Sequence, residues 1–295
     1  MANPDPAPQE MRDVDRGRRF VLLAAFLWSL AGVFIKLLDL HPLTIVFYRS
    51  LFAALVFVPF LKRTHWSFNF SILVSVISYS AAITAFVSAN KLTTAANAIV
   101  LQYTAPIFVF LYARLIQGQR MTKPHGMALG VSMTGVAIIA FDKAGEPEMA
   151  GVLLALLSGV FFAIYMVNLQ KTNETSPVYL TWLNNFVCAL LLLPVVKPRL
   201  AVSLEQGSIL LAMGAVQLGL PYFFFSKGLL TVPLQEAALI ALIEPVLNPL
   251  WVALTLGEIP SLSTIAGGSM ILLGLSVRYL WPLLEGRSKT SRLKP

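Results

Sequence analysis

Three ionisable residues within long apolar runs define the chemistry open to this 295-residue sequence. Lys36, Arg49 and Glu244 are each flanked by segments made mainly of aliphatic and aromatic residues. A charged group at the centre of a bilayer costs about 2.5–3.5 kcal/mol on insertion scales, so such a residue is expected to pair inside a helix bundle or to face a polar pathway. The three residues are therefore candidates for ligand binding, for proton coupling or for a structural role.

Glu244 is the carboxylate that lies deepest within an apolar run, and it directly precedes Pro245. With Asn248, Trp251 and Thr255 it follows an i, i+4, i+7, i+11 spacing, which places these side chains along one face of a helix. This stripe predicts one of two arrangements. It forms a cavity wall, in which Glu244 carries a proton or meets an amino group, or it makes internal hydrogen bonds that support a helix kinked by the proline.

The two basic residues each have a structural and a functional interpretation. Lys36 lies near the end of its apolar run, where a lysine can extend its amine to the lipid headgroups. Arg49 lies deeper inside the next run, where its side chain reaches the lipid headgroups less easily. We expect Arg49 either to pair with a carbonyl, hydroxyl or acid within the bundle or to face the pathway and meet a substrate carboxylate.

Other polar and aromatic residues within the apolar runs are candidates for lining a cavity. They are Trp28, Tyr79, Asn97, Gln102, Tyr103, Tyr165, Gln217 and Tyr222, in addition to Glu244 and Asn248. Each of these residues taken singly is as typical of packing as of ligand contact. Together they predict an aromatic, hydrogen-bonding and weakly charged cavity, which suits a medium-sized amphipathic metabolite better than a bare ion or a polyphosphate.

The sequence lacks the motifs that would indicate catalysis or metal binding. It contains neither H-E-x-x-H nor G-x-S-x-G, and His41, His65 and His125 fall at the ends of apolar runs. Cys188 is the only cysteine, which excludes an intrachain disulfide and makes a thiolate metal cluster implausible. We therefore expect no enzyme activity, no metal and no cofactor.

The composition indicates an integral membrane protein. Ordinary soluble chains are about half apolar and a quarter charged, whereas this chain is 57% hydrophobic and 12% charged. The apolar runs are continuous rather than alternating, which excludes a membrane β-barrel. At about 20 residues per membrane helix, we predict an all-α protein with ten transmembrane helices. They are expected at residues 20–38, 43–61, 70–90, 95–115, 125–141, 150–170, 178–196, 207–228, 234–256 and 262–281.

The two halves of the chain repeat each other. At a constant offset of 139 residues, four landmarks of the first half recur in the second: Pro106, Gly118, Gln119 and Gly135 become Pro245, Gly257, Glu258 and Gly274. Five helices per repeat is an odd number, so the second repeat is expected to be inverted, as in many secondary transporters. We predict an N-terminal tail (1–19), a first five-helix repeat (20–141), a second, inverted repeat (150–281) and a C-terminal tail (282–295).

The basic residues predict the orientation. The chain has a net charge of +8, and its positive residues gather in the two tails, with no basic helix between them that would suggest nucleic-acid binding. The loops on the same side as the tails add Lys62, Arg63, Arg120, Lys123 and Lys171, against Lys91, Lys143, Lys197 and Arg199 on the other side. Because positive residues stay inside, we expect a multi-pass membrane protein with both termini in the cytoplasm.

These landmarks, taken in order, resemble the EamA-type transporters of the drug/metabolite transporter superfamily over roughly residues 20–281. The residues that carry the resemblance are Trp28, Lys36, Pro42, Arg49, Pro106, Gly118-Gln119, Glu244-Pro245 and Gly257-Glu258. The chain looks most similar to bacterial exporters of aromatic and other hydrophobic amino acids. This resemblance implies export through a central cavity built mainly by helices 1, 3, 4, 6, 8 and 9. Gln119 departs from the Gly-Glu pair of the family, which puts any role of that charge in the first repeat in doubt.

With this resemblance, the leading hypothesis is a secondary transporter that exports amino acids, aromatic or hydrophobic ones, across the bacterial inner membrane by alternating access. Three alternatives remain: an exporter of cationic drugs or amines that uses Glu244, a nucleotide-sugar type transporter and a membrane enzyme. The expected partners are the small-molecule substrate and the lipid bilayer, and the protein is expected to be a monomer or a weak homodimer. Proton coupling through Glu244 and facilitated diffusion both remain open.

Overall fold

The structure is a computed structural model that describes residues 8–62, 69–115, 123–140, 149–170, 175–232, 237 and 240–291. Within these residues all regular elements are helical and form ten segments, α1 to α10. The bounds are α1 (Pro8–Ser29 and Ala31–Leu37), α2 (Pro42–Phe57), α3 (Phe70–Leu92), α4 (Ala95–Gln102 and Ala105–Leu115), α5 (Lys123–Ala140), α6 (Met149–Gln170), α7 (Pro177–Val196), α8 (Leu204–Ala212, a π-helix at Met213–Gly219, then Leu220–Gly228), α9 (Glu244–Leu256) and α10 (Leu262–Ser291). Four segments, α1, α4, α8 and α9, contain an interruption or a change of helix type, and the described helical residues before the break in α9 are 237 and 240–241.

Six helical stretches of the described residues are long enough and apolar enough to cross a membrane. They correspond to α1, α2, α3, α6, α7 and α8, whereas α4, α5 and α10 contribute shorter apolar runs. These lengths fit the prediction of an all-α membrane protein with ten segments in two five-helix repeats.

Short polar residues set several of the helix starts. The side chains of Asn69, Thr94 and Ser203 each accept a hydrogen bond from a backbone N–H in the first turn of α3, α4 and α8 respectively. At the start of α2 this acceptor is the Nδ1 atom of His41. Burial, with a smaller contribution from the charge of Arg199, lowers the pKa of His41, which favours the neutral ring that can accept.

The helix contacts have the symmetry of an inverted repeat. In an inverted repeat, α1 corresponds to α6 and α3 corresponds to α8. The contact between α1 and α8 should then have a counterpart between α6 and α3, and both contacts are present. The contact of α1 with α9 likewise becomes that of α6 with α4. The pairs α2–α7, α4–α9 and α5–α10 exchange with themselves and are in contact. This is the arrangement expected around a pseudo-two-fold axis in the membrane plane.

The glycines of α5 and α10 allow these two helices to approach closely. A Cβ atom added at Gly135 would lie 2.4 Å from the carbonyl oxygen of Gly267, and one added at Gly267 would lie 2.6 Å from that of Gly135. Neither position therefore tolerates a side chain without moving the helices apart. Close backbone approach at small residues is typical of membrane helix pairs.

Several predicted helix bounds were wrong. The first helix begins at Pro8 rather than at residue 20, since its polar first turns are helical and include an Asp15–Arg18 ion pair of 2.9 Å. The last helix runs on to Ser291 rather than ending at 281. Polar residues continue a helix beyond the apolar run because backbone hydrogen bonding does not depend on hydrophobicity.

The fourth and ninth helices were predicted to be continuous, and both are interrupted. The breaks lie at equivalent positions, at Tyr103-Thr104 before Pro106 and at Leu242-Ile243 before Pro245. A proline has no N–H to donate and disfavours the helical conformation in the residue before it. Both repeats thus carry a discontinuous helix in the same place.

Candidate functional site

The two helix breaks bring a phenol and a carboxylate together at the centre of the bundle. The Tyr103 hydroxyl lies 2.8 Å from Oε2 of Glu244 and 2.8 Å from the carbonyl oxygen of Ala241. Glu244 is 8% exposed. The contact joins the discontinuous helix of one repeat to that of the other, which is where transporters of this architecture hold their substrates.

The hydrogen-bond count at this contact bears on the proton of Glu244. A tyrosine hydroxyl has one proton to donate, yet two oxygen acceptors lie within 2.8 Å of Tyr103. Both contacts are hydrogen bonds when Tyr103 donates to the carbonyl of Ala241 and a protonated Glu244 donates to the phenol oxygen. A proton on Glu244 would therefore satisfy both contacts at once.

A cavity of about 80 Å³ lies beside this contact. All six segments that the resemblance implied contribute to its wall, namely α1, α3, α4, α6, α8 and α9. The second segment, α2, adds one residue, Arg49. Most of the wall is apolar. Its polar and amphipathic members are Trp28, Arg49, Gln102, Tyr103, Gln217, Tyr222 and Glu244.

A second cavity of about 220 Å³ adjoins the first, and both are lined by Trp28, Tyr222 and Phe225. It is also lined by Pro177, at the start of α7, and Leu230, after α8. The start of α7 and the end of α8 lie on the same face of the bundle as the beginning of α1. We call this face the terminal face. The two cavities therefore extend from the Tyr103–Glu244 contact towards the terminal face.

The opposite face, which we call the distal face, is closed by an ion pair between the repeats. Nζ of Lys36 lies 3.0 Å from Oε2 of Glu258 and donates to the carbonyl of Thr93 at 2.9 Å. Oε1 of Glu258 accepts from the backbone N–H of Ala95 at 2.7 Å. These four residues, here called the distal cluster, tie the end of α1 and the start of α4 to the link between α9 and α10.

Gly257 places Glu258 in the distal cluster. It ends α9 with a φ of 69°, a left-handed conformation that glycine adopts without strain. Sequence reasoning did not assign a role to Glu258, although its position in the repeated Gly-Glu motif was a signal. Its partner Lys36 was predicted to be a coupling or structural charge, and the ion pair places it at the distal face rather than in the described cavity wall.

Asn97 lies next to the distal cluster rather than among the described lining residues of the two cavities. Its Nδ2 donates to Oγ1 of Thr93 at 3.2 Å, and its Oδ1 accepts from Oγ1 of Thr264 at 2.7 Å. The bond to Thr264 connects α4 to α10, and the bond to Thr93 holds Asn97 at the start of α4.

Four of the predicted aromatic residues meet in one cluster. The ring centroids of Tyr79 and Tyr222 lie 5.1 Å apart, and those of Tyr79 and Tyr165 lie 5.5 Å apart. Trp28 packs edge-on against Tyr222 at 5.0 Å. Tyr79 stands behind the described lining residues and donates to Oδ1 of Asn185 at 3.0 Å, whereas Tyr165 lines the second cavity.

The two predicted amides in the cavity wall are each tied to a neighbouring segment. Gln102 donates to Oγ of Ser158 at 2.6 Å, which holds the end of the first half of α4 against α6. Gln217, in the π-helix of α8, donates to the carbonyl of Trp28 at 3.4 Å. Its Oε1 is buried and has no hydrogen-bond partner among the described residues. π-helical turns are frequent at functional sites.

The residues of the polar stripe predicted on α9 do not all face the cavity. Glu244 lines the cavity, whereas Asn248 is fully buried and faces Gly32 of α1, and neither of its amide atoms has a partner within the described residues. Trp251 donates to Oγ of Ser29 at 3.0 Å, and Thr255 bonds to the carbonyl of Trp251. The stripe therefore provides both a cavity group and the contacts between α9 and α1.

Some sequence landmarks lie outside the described residues, among them Trp66, Gly118, Gln119 and Lys171. In the part of the chain that the structure describes, no group of three or more His, Cys, Asp or Glu residues is arranged to hold a metal ion.

The comparisons with known proteins agree on one family and one fold. A model of the EamA-like transporter family matches residues 16–141 and again residues 149–280. An uncharacterized transporter of Archaeoglobus fulgidus is 27% identical over 89% of this chain and 96% of its own length. A biotin transporter of Salmonella typhimurium is 27% identical over 70% of this chain and 73% of its own length. A protein of known crystal structure superposes with a TM-score of 0.66 at 16% identity, over 90% of this chain and 97% of that one.

Proposed function

Since this chain belongs to the EamA-like transporter family and is a multi-pass membrane transporter, we propose that it exports amphipathic amino acids, aromatic or hydrophobic ones, by alternating access. The observation that carries this proposal is the cavity itself. It combines a mainly apolar wall with Glu244, whose carboxylate lies beside Tyr103 at the junction of the two repeats. An aromatic or aliphatic side chain suits the wall, and an amino group suits the acid.

The closed distal face and the cavities that extend to the terminal face support alternating access. A carrier of this kind needs two states that differ in which face is closed, and an inverted repeat supplies two nearly equivalent arrangements. In the state described, the distal cluster closes one end. We propose that both termini lie in the cytoplasm of a bacterial cell and that the terminal face is the cytoplasmic side of the inner membrane. The substrate then enters from the cytoplasm.

A second candidate substrate is biotin or a related carboxylate. Proteins that bear the name biotin transporter are 26–27% identical to this chain. Their names support a ligand with an apolar body and a single acidic group, which differs from an amino acid in lacking the amino group. The two candidates are separated by whether the transported molecule needs a positive charge.

Counterflow into proteoliposomes of the purified full-length protein tests these proposals. Labelled phenylalanine, threonine, biotin and a quaternary ammonium dye are supplied in parallel, with empty liposomes as the control. Saturable uptake of phenylalanine is the expected result. Uptake of biotin alone would replace the amino acid by the second candidate, and uptake of the dye alone would replace both by a cationic drug.

A further inference from the structure

Arg49 is a fully buried cation in the wall of the first cavity. Its side chain is 2% exposed. Its Nε atom has no hydrogen-bond partner, and neither of the two ion pairs found within the described residues includes it. Nearly all buried polar groups in proteins are hydrogen-bonded, so an exception of this kind requires an explanation.

The bundle brings two neighbouring helices close around Arg49. A Cβ atom added at Gly214 would lie 2.5 Å from the carbonyl oxygen of Arg49, so the glycine lets the π-helix of α8 pack directly against α2. The same π-helix carries Gln217 into the cavity wall. Arg49 is thereby held at a rigid contact between two segments, as a group that orients a ligand must be.

The nearest titratable groups leave the charge of Arg49 without a negative partner. They are Tyr79, Tyr222 and Cys188, which are neutral hydroxyl and thiol groups at ordinary pH. The carboxylate of Glu244 in the same cavity is engaged by Tyr103. A buried charge is normally compensated by an opposite charge or a metal. In this cavity the missing partner is an anion.

A second unpartnered donor points to the same kind of ligand. The Nε1–H group of Trp28, also in the cavity wall, is buried without an acceptor among the described residues. A carboxylate offers two oxygens and about four lone-pair sites, and the planar guanidinium matches it in geometry. The other cation considered from the sequence, Lys36, is already paired with Glu258.

We propose that the guanidinium of Arg49 binds the carboxylate of the transported molecule. This inference rests on the proposed function in one respect, namely that the cavity is the transport site. It adds the substrate class: the molecule carries a carboxylate, whether or not it also carries the amino group that Glu244 would meet. Amines and cationic dyes without a carboxylate are then poor substrates.

The first test uses the wild-type protein and two matched ligand pairs. Thermal stability of the purified full-length chain in detergent is measured with 3-phenylpropionate against 3-phenylpropanamide, and with L-phenylalanine against L-phenylalaninamide. Each pair replaces the carboxylate by a carboxamide, and the first pair has no amino group whose charge could change with it. Each carboxylate is expected to stabilise the protein with an apparent affinity at least about tenfold tighter than its amide, the effect of one hydrogen-bonded charge. Equal stabilisation by both members, or stabilisation by neither carboxylate, would overturn the inference.

The second test uses variants of Arg49. Arg49→Met removes the charge and keeps an unbranched apolar side chain, and Arg49→Lys keeps the charge without the bidentate geometry. We expect Arg49→Met to lose the preference for the carboxylate over the amide and Arg49→Lys to keep part of it. Where Arg49→Met does not fold, the ligand pairs on the wild-type protein decide the question without it. A folded Arg49→Met protein with the wild-type preference would also overturn the inference.

The outcomes distinguish this inference from the proposed function. Stabilisation by 3-phenylpropionate and biotin without counterflow of phenylalanine would remove the amino-acid proposal and keep the role of Arg49. If phenylalanine shows counterflow and phenylalaninamide competes equally well, the proposal of amino-acid transport stands and the proposed role of Arg49 is wrong.

Discussion

Lys36 and Glu258 form an ion pair of 3.0 Å between the two repeats, at the face of the bundle opposite the termini. The lysine ends α1 in the first repeat, and the glutamate follows the αL turn at Gly257 in the second. Glu258 also accepts the backbone N–H of Ala95, so the pair spans three chain segments. If the protein alternates as proposed, this contact must break when the distal face opens, so we expect it to influence the conformational equilibrium.

Glu258→Gln is expected to shift the population towards a state that is open at the distal face. The variant keeps a hydrogen-bonding side chain and loses the charge attraction. Because the two side chains are 21% and 27% exposed, the loss is on the order of 1 kcal/mol or less, which is enough to change a two-state ratio several-fold. Spin labels at Leu37→Cys and Ile259→Cys, in a Cys188→Ser background, report the distance across the distal face.

Glu205→Gln is the matched control, because Glu205 is an acid on the same face that forms no ion pair among the described residues. The doubly exchanged variant Lys36→Glu with Glu258→Lys is expected to restore part of the closed population. An unchanged distance distribution in Glu258→Gln would show that the ion pair does not hold this face.

The repeat predicts an opposite effect for Gln119→Glu. Gln119 is the sequence counterpart of Glu258. Lys171 lies 135 residues after Lys36, the same separation as between Pro42 and Pro177, which begin the second helix of each repeat. The first repeat therefore lacks the acid that an equivalent ion pair would need. Adding it is expected to favour closure of the terminal face and so to lengthen the distance between the spin labels on the distal face. A shorter or unchanged distance would contradict a symmetric mechanism.

Glu244→Gln is expected to abolish the response of transport to a pH gradient. The amide has the shape of the carboxylate and can still donate to Tyr103, but it cannot release a proton. Counterflow and gradient-driven uptake are measured in proteoliposomes with and without an imposed pH difference. Unchanged transport with an unchanged response to pH would exclude Glu244 as the coupling group, and transport by the wild type that ignores the gradient would indicate facilitated diffusion.

Tyr103→Phe is expected to change the apparent substrate affinity while leaving the fold intact. The change removes the hydroxyl that contacts both Glu244 and Ala241, and a lost hydrogen bond is worth about 0.5–1.5 kcal/mol. Tyr48→Phe is the control, since it removes an equally buried hydroxyl that bonds to the carbonyl of Leu200 away from the cavity. The prediction fails if both variants transport with the same half-saturation concentration as the wild type.

Gly135→Ala is expected to lower the thermal stability of the protein in detergent. The added methyl group would meet the carbonyl of Gly267 at 2.4 Å, and overpacking of this kind costs about 1–3 kcal/mol. Gly130→Ala in the same helix is the control, because a Cβ atom there has no neighbour within 4 Å. It is expected to be neutral or slightly stabilising, since alanine is the better helix former. Equal melting temperatures would show that α5 and α10 can separate without cost.

The sequence determined the features that depend on local properties of the chain. Continuous apolar runs of membrane length predicted ten segments, and the recurrence of Pro106 and Gly135 as Pro245 and Gly274 predicted two repeats in inverted order. Both follow from physics that acts within one segment, namely the solvation of an apolar helix and the effect of proline on the backbone. The helix breaks before the two prolines were not predicted, because a proline in a membrane helix is tolerated in more than one geometry.

Which side chains meet depends on how the helices pack in three dimensions. Lys36 reaches Glu258 across 222 residues of sequence, and Tyr103 reaches Glu244 across 141. Whether Arg49 has a partner is likewise a property of the helices packed around it, and the sequence left that question open. A charge within an apolar run indicates that it must be compensated, but the compensating group is chosen by how helices of different repeats pack, and that choice has no local signal in the chain.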